Sequence, residues 1–286
     1  MPVTAVSTDV ELEYAWRHRG ADANTEQPPA ILDEPPILLI QGMSGTMRSW
    51  GEPFLTALAR GADLLLFGNR GVGSSSRVTG PLSIADMATD TIGLLDALGL
   101  ERVHVLGVSL GGMIAQQLTL DAPERVATLA IGCSSPGGPG CAVMSAETAA
   151  RLFQDPSGVD DILRASWEVN LGQHFRDADA SGRGFADFTE MVLDGPVSMV
   201  VIQVQAMAGA MHDVQDQLGL IEVPTLVIHG TDDQMLPDVN GRLIAERIPG
   251  ARLETLDGVG HMWWWEQPGS AARLVLDHVG VQHPAA

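Results

Sequence analysis

One junction limits what this 286-residue chain can fold into more than any other feature. The strand-like run 103–106 leads straight into Gly107-Val108-Ser109-Leu110-Gly111, and a helical pattern begins near Gly112. A serine on a tight strand-to-helix turn is held in a strained backbone conformation that projects its hydroxyl, and glycine two residues to either side leaves room for that turn. The following helix N-terminus and the Leu110 backbone N–H favour negative charge beside the hydroxyl. A bare G-x-S-x-G arises often by chance among 32 glycines. The strand before it and the helix after it set this one apart from an ordinary glycine-rich loop, and they make Ser109 the candidate nucleophile.

The rest of the chain repeats the same alternation. Short apolar runs at 37–40, 64–67, 103–106, 126–131 and 224–229 have the length and continuity of strands buried on both faces, which belong to parallel sheets. Between them, 83–98 carries Ile84, Met87, Ile92, Leu95 and Leu98 close to helical spacing, behind Ser83 as a cap and with Gly99 as a stop. Segments 112–120 and 239–248 also read as helices. Strand and helix in alternation predict an α/β layered fold, mostly parallel, with right-handed crossovers. From about Ser134 to Leu220 the rhythm breaks. This stretch opens with Ser134-Ser135-Pro136-Gly137-Gly138-Pro139-Gly140 and continues in helical segments rich in Met and Ala, so it is expected to be a cap inserted into the core. The expected division is therefore a core of 1–133 and 221–286 with a cap of 134–220. Residues 19–36 are polar and proline-containing, as in a surface loop or hairpin.

Charge and composition remove whole classes of function. The formal net charge of −20 opposes nucleic-acid phosphates and anionic membranes as partners and leaves a small molecule as the expected one. All 16 basic residues are arginine. Without lysine there is no Schiff-base chemistry, no pyridoxal attachment and no phosphate-loop lysine. Cys133 and Cys141 flank a Gly/Pro-rich turn without zinc-ligand spacing and are expected to be free thiols. No apolar stretch approaches the roughly 20 residues of a membrane-spanning helix. The N-terminal segment bears Asp9, Glu11 and Glu13 before any basic residue, unlike a secretory signal, so a cytoplasmic location is expected.

A serine hydroxyl needs a base and a carboxylate to orient that base, and on a strand–turn–helix serine these follow in the order acid, then histidine. After the run 224–229 comes Gly230-Thr231-Asp232-Asp233-Gln234-Met235, which offers two carboxylates. Further on comes Gly258-Val259-Gly260-His261. Each block lies just beyond a predicted strand, at the sheet edge where open α/β folds place their sites. An oxyanion hole also needs two backbone donors, and the residue after the nucleophile, Leu110, is positioned to supply one.

Taken together, 37–277 resembles the α/β-hydrolase superfamily, in the branch of small bacterial carboxylesterases, enol-lactonases and polyketide methyl esterases. The resemblance implies a specific set of roles. The family's acid lies three residues after the glycine of a strand-ending H-G dipeptide, which selects Asp233 over Asp232. Gly258-Val259-Gly260-His261 with Glu266-Gln267-Pro268 is similar to the family's histidine loop, so His261 is the implied base. Gln41-Gly42-Met43 stands where relatives have His-Gly-x, implying the Met43 N–H as the second oxyanion donor. Because a backbone amide does that work, Gln41 in place of histidine bears on the supporting hydrogen bonds more than on the hole. Gly68-Asn69-Arg70-Gly71-Val72-Gly73-Ser74-Ser75 is similar to the family's D-x-R-G-x-G-x-S loop, with Gly68 replacing aspartate.

Rival readings fail on detail. Gly71-Val72-Gly73 has no third glycine at dinucleotide spacing, and its helix begins well downstream. There is no H-E-x-x-H and no paired cysteine cluster, so neither a metal nor another cofactor is expected. Met262, beside the base, is the pocket candidate. Trp263, Trp264 and Trp265 are expected to pack cap against core rather than line an acyl pocket, and Met191, Met199, Met207 and Met211 to be cap core rather than lining. His104, His174, His212 and His229 are expected to serve packing or surface roles. The implied activity is hydrolysis of a small carboxylic ester through an acyl-enzyme. A lactonase would use the same parts, and a non-catalytic binding protein on the same fold is the alternative from another class.

Overall fold

The computed structural model describes residues 1–153, 158–195 and 197–280. Eight strands form one sheet: β1 (Val3–Ala5), β2 (Glu11–Arg17), β3 (Ile37–Ile40), β4 (Leu64–Phe67), β5 (Val103–Val108), β6 (Val126–Gly132), β7 (Thr225–Gly230) and β8 (Arg252–Leu256). Their spatial order is β1-β2-β4-β3-β5-β6-β7-β8. Only β1 and β2 run antiparallel, β1 to β2 and β2 to β4; every later pairing is parallel.

The helices α1 (Glu52–Ala59), α2 (Ile84–Ala97), α3 (Leu110–Asp121), α4 (Ala146–Phe153), α5 (Val159–Asn170), α6 (Gln173–Ala178), α7 (Arg183–Leu193), α8 (Met199–Ala210), α9 (Val239–Arg247), α10 (Trp263–Glu266) and α11 (Pro268–His278) divide into two groups. Helices α4 to α8 all fall between β6 and β7, and the others cover the sheet. Among the described residues no helix is long and apolar enough to cross a membrane.

The continuous apolar runs are explained by what lies on each face. Alternate residues of one strand enter different cores: Leu38 and Ile40 of β3 pack with α2 and α3 through Leu94, Leu95, Ile114 and Leu118. Ile37 and Leu39 pack on the opposite face with Phe54, Leu55 and Leu58 of α1 and Val275 of α11. All four β3 side chains are fully buried. Each such side chain contributes roughly 1.5–3 kcal/mol relative to exposure. Helix α2 starts as its sequence requires, with the Ser83 hydroxyl accepting from the Asp86 N–H and Asp86 returning a bond to the Ser83 N–H.

Two differences from the sequence pattern have local causes. Helix α3 begins at Leu110 rather than near Gly112 because Ser109 itself is its N-cap. Strands β1 and β2 are not announced by the pattern: β1 alternates exposed and half-buried residues, and β2 carries Glu11, Glu13 and Arg17 among its seven residues. Arg17 is nonetheless buried, its guanidinium held by Glu52 and Asn24.

Candidate active site

The loops at the carboxyl ends of β3, β5, β6 and β7 and the loop after β8 converge at one place. At its centre is Ser109, with φ 56° and ψ −124°. A non-glycine residue in that region costs of order 1–3 kcal/mol and persists only where its surroundings over-determine it. They do so here: the Ser109 N–H donates to Gly132 O of β6 at 2.9 Å. Its carbonyl accepts from the Gly112 N–H at 2.9 Å and from the Ser134 hydroxyl at 2.7 Å. Glycine is obligatory at 111, where a Cβ would stand 2.6 Å from Gln41 O. Among the described residues the only other non-glycine positive-φ positions are Ser44 and Cys133, and both belong to this site.

On one side lies the acid–base pair. Asp233 Oδ2 accepts from His261 Nδ1 at 2.7 Å, and both side chains are buried. The other carboxylate oxygen, Oδ1, accepts the Met235 and Leu236 N–H groups, each at 2.9 Å. A further donor reaches Oδ2: His229 Nε2, at 3.2 Å, which also bonds Leu236 O at 2.7 Å. His229, expected to serve packing, is thus a direct partner of the carboxylate. Its signal in the sequence was the H-G dipeptide ending β7, read only as a ruler for finding Asp233.

The pair's charges support each other. Burial pushes the Asp233 pKa up, but the His261 ring and the hydrogen bonds from His229 and His261 outweigh it and bring it down to about 2. Burial pulls His261 down, but the Asp233 carboxylate and the Cys133 sulfur outweigh it and raise His261 well above its ordinary 6.5. Cys133, fully buried and not in a disulfide, lies close enough that its sulfur and the Asp233 and His261 polar atoms fall within 4.8 Å of one another. Nothing in the sequence pattern marks that proximity.

The other side is the Gln41–Ser44 loop. A Cβ at Gly42 would stand 2.9 Å from the Ser109 Cβ, so glycine lets this loop lie against the serine. Among the described residues, neither the Met43 nor the Leu110 backbone N–H donates a hydrogen bond. The loop is held from beneath and above: Asn69 Nδ2 donates to Gln41 O at 3.1 Å, and the Ser44 N–H donates to Gln205 Oε1 of α8 at 2.8 Å. Gln41 folds back so that its Oε1 accepts from the Gly42 N–H, leaving its buried Nε2 without a partner.

Ser109, His261, Met43 and Met262 line one cavity of about 520 Å³, with Asn170, Met235, Trp264 and apolar side chains of α5, α7 and α8. That volume lies within the range of small-molecule sites. Of the three tryptophans, Trp264 reaches the cavity, Trp263 packs edge-on to Phe54, and Trp265 meets Phe188 of α7. Met191 lines the cavity, whereas Met199, Met207 and Met211 are 65%, 63% and 79% exposed, neither lining nor core. Glu266 joins the base loop to the helices above: one carboxylate oxygen accepts from the Gly260 N–H at 2.8 Å and the Gly172 N–H at 2.9 Å.

A strained serine at the end of β5, on a parallel sheet with a histidine–aspartate pair beyond the later strands, defines an α/β hydrolase. Residues 35–268 match the family model described as alpha/beta hydrolase fold, and the chain belongs to that family. Its relatives are hydrolases. A RutD protein of Azorhizobium caulinodans, named for carbamate hydrolysis, is 31% identical over 86% of this chain and 91% of its own. The rhodomycin D methylesterase DauP of a Streptomyces species is 30% identical over 79% of this chain and 84% of its own. Among solved structures, the N-acyl homoserine lactone degrading enzyme Est816 aligns with a TM-score of 0.75 at 26% identity, covering 96% of this chain and 98% of its own.

Proposed function

We propose that this protein hydrolyses small carboxylic esters through an acyl-enzyme on Ser109. The observation that carries the reading is the 2.7 Å bond from His261 to Asp233 beside a cavity that His261 shares with the strained Ser109. With Nδ1 committed to Asp233, the imidazole has Nε2 left to take the serine proton as Oγ attacks the carbonyl carbon. Asp233 fixes that tautomer and stabilises the imidazolium. The unpartnered Met43 and Leu110 N–H groups receive the negative charge that develops on the carbonyl oxygen. His261 then protonates the leaving alcohol, and water, deprotonated by the same nitrogen, releases the acid and restores Ser109. The helices of 134–220 act as the cap that closes the acyl side of the cavity.

Esters are favoured over carbamates by the methylesterase relative and by a cavity wall that is mostly apolar. Lactone hydrolysis is the second reading, favoured by the likeness to Est816. The test is initial-rate hydrolysis of p-nitrophenyl esters from acetyl to decanoyl and of a lactone panel, by wild type and Ser109→Ala. Ester turnover that falls by about 10⁶-fold in the variant is the expected result. A fluorophosphonate probe is expected to label Ser109. Absence of both turnover and labelling would leave a binding protein on a hydrolase fold.

A further inference from the structure

We infer that the acyl group this site accepts is uncharged, and that an acyl chain ending in a carboxylate is rejected. The inference rests on the ester-hydrolase reading and deepens it. Among the described residues lining the cavity, none is Arg, Asp or Glu, and His261 is the only titratable side chain of the acid–base type. The chain contains no lysine that could reach in from elsewhere. The apolar lining includes Ile162 and Leu163 of α5, Phe188, Met191 and Leu193 of α7, and Trp264. The polar lining residues Gln41, Ser44, Thr46, Ser49 and Asn170 are all neutral.

The arginine closest in sequence to the lining residues Thr46 and Ser49 is Arg48, and its guanidinium is already paired with Asp194 and, at 3.9 Å, with Glu190. An incoming carboxylate therefore loses its hydration inside without gaining a cation, because His261 is held by Asp233 and is neutral in the form that takes the serine proton. An aliphatic chain buries the same surface without that loss.

Three p-nitrophenyl esters of similar acyl length test the inference: the heptanoate, the mono-adipate with its free terminal carboxylate, and the adipate methyl ester. The methyl ester separates charge from size and polarity. The expected kcat/KM is similar for the two neutral esters and about 10²- to 10³-fold lower for the free acid, the scale of an uncompensated buried charge. Ile162→Arg, or Leu193→Arg if the first variant fails to fold, is expected to narrow that gap by about tenfold by supplying the missing cation; both positions are about half exposed. Turnover of the free acid within about threefold of its methyl ester would overturn the inference while leaving the hydrolase reading intact. Failure of all three esters together with no fluorophosphonate labelling of Ser109 would remove the reading and the inference with it.

Discussion

The two flanks of Ser109 are built on opposite terms. On the acid–base flank every polar atom of the Asp233 carboxylate is engaged, with two backbone N–H groups on one oxygen and two imidazoles on the other. On the Gln41–Met43 flank, the Met43 and Leu110 N–H groups have no acceptor among the described residues, and a buried Gln41 amide nitrogen is also unpartnered. The first flank holds a charge, and the carboxylate that carries it is fully hydrogen-bonded, although Nδ1 of the buried His229 behind it has no partner among the described residues. On the proposed mechanism the second flank awaits a charge that exists only in the transition state, and a donor already satisfied there has nothing to add. On that mechanism the unpartnered Met43 and Leu110 N–H groups mark where charge develops, and the saturated Asp233 carboxylate marks where it is stored.

The comparison breaks most visibly at the stored charge. Asp233→Asn keeps the shape but turns an acceptor into a partial donor facing His261 Nδ1, favouring the wrong tautomer; a fall in kcat of about 10⁴-fold is expected. Ester kinetics with circular dichroism to verify folding provide the check, and a loss below about tenfold would show that another carboxylate orients the ring. The awaiting flank is attacked through Gly42. A Cβ there, 2.9 Å from the Ser109 Cβ, forces the loop away and takes the Met43 N–H with it. Gly42→Ala is expected to lower kcat by about 10²- to 10³-fold with less effect on KM, the signature of a lost oxyanion donor. A change confined to KM would mean that Met43 does not face the developing charge.

A smaller effect is expected where the flanks meet the helices above. Glu266 ties the Gly260 and Gly172 N–H groups together, and burial, partly offset by those two bonds, raises its pKa above the ordinary 4.5. Glu266→Gln keeps one acceptor oxygen but weakens two charge-assisted bonds, and about a tenfold loss in kcat/KM is expected, from a less well-held His261. Glu266→Ala is expected to lose more than Glu266→Gln, and equal losses would place the role in packing rather than in the carboxylate.

How much of this was legible follows from what each element depends on. Strands β3 to β7 and helices α2 and α9 are written in local periodicity, because each buries a face or a stripe whose period survives in one dimension. Ser109, with its flanking glycines, is legible for the same reason: the turn imposes its requirement within five residues. Asp233 and His261 needed a resemblance as well as a pattern, since they meet across 28 residues of chain, and Met43 did too, since its place near Ser109 depends on β3 lying beside β5 in the sheet. Cys133 is a free thiol, as its spacing suggests, but the places of His229 and Cys133 beside the pair are not legible because they depend on which atoms stand opposite in space. The methionines of α8 show the limit from the other direction: Met is a sound sign of burial on average, yet Met199 and Met207 face outward on a helix that buries Val201, Gln205 and Ala208.

The acid–base flank makes one further prediction, in which activity and stability oppose each other. His261 must be neutral to take the serine proton, so kcat/KM rises as pH rises through its folded pKa. That pKa lies well above the ordinary 6.5, because the Asp233 carboxylate and the Cys133 sulfur outweigh burial. Stability runs the other way. A group whose pKa is raised on folding contributes stability that is fully present below its unfolded pKa and is lost as pH climbs through the folded one. The same interval above 6.5 in which the enzyme gains activity is therefore one in which the His261–Asp233 ion pair stops contributing to the fold. A pH–rate profile set beside melting temperatures of wild type and His261→Gln measures both: the wild-type advantage in melting temperature should shrink as kcat/KM rises. Cys133→Ala, which removes the sulfur from against the ring, should move the rising limb to lower pH. An unchanged limb in that variant would leave Asp233 as the sole source of the raised pKa and confine the role of Cys133 to packing.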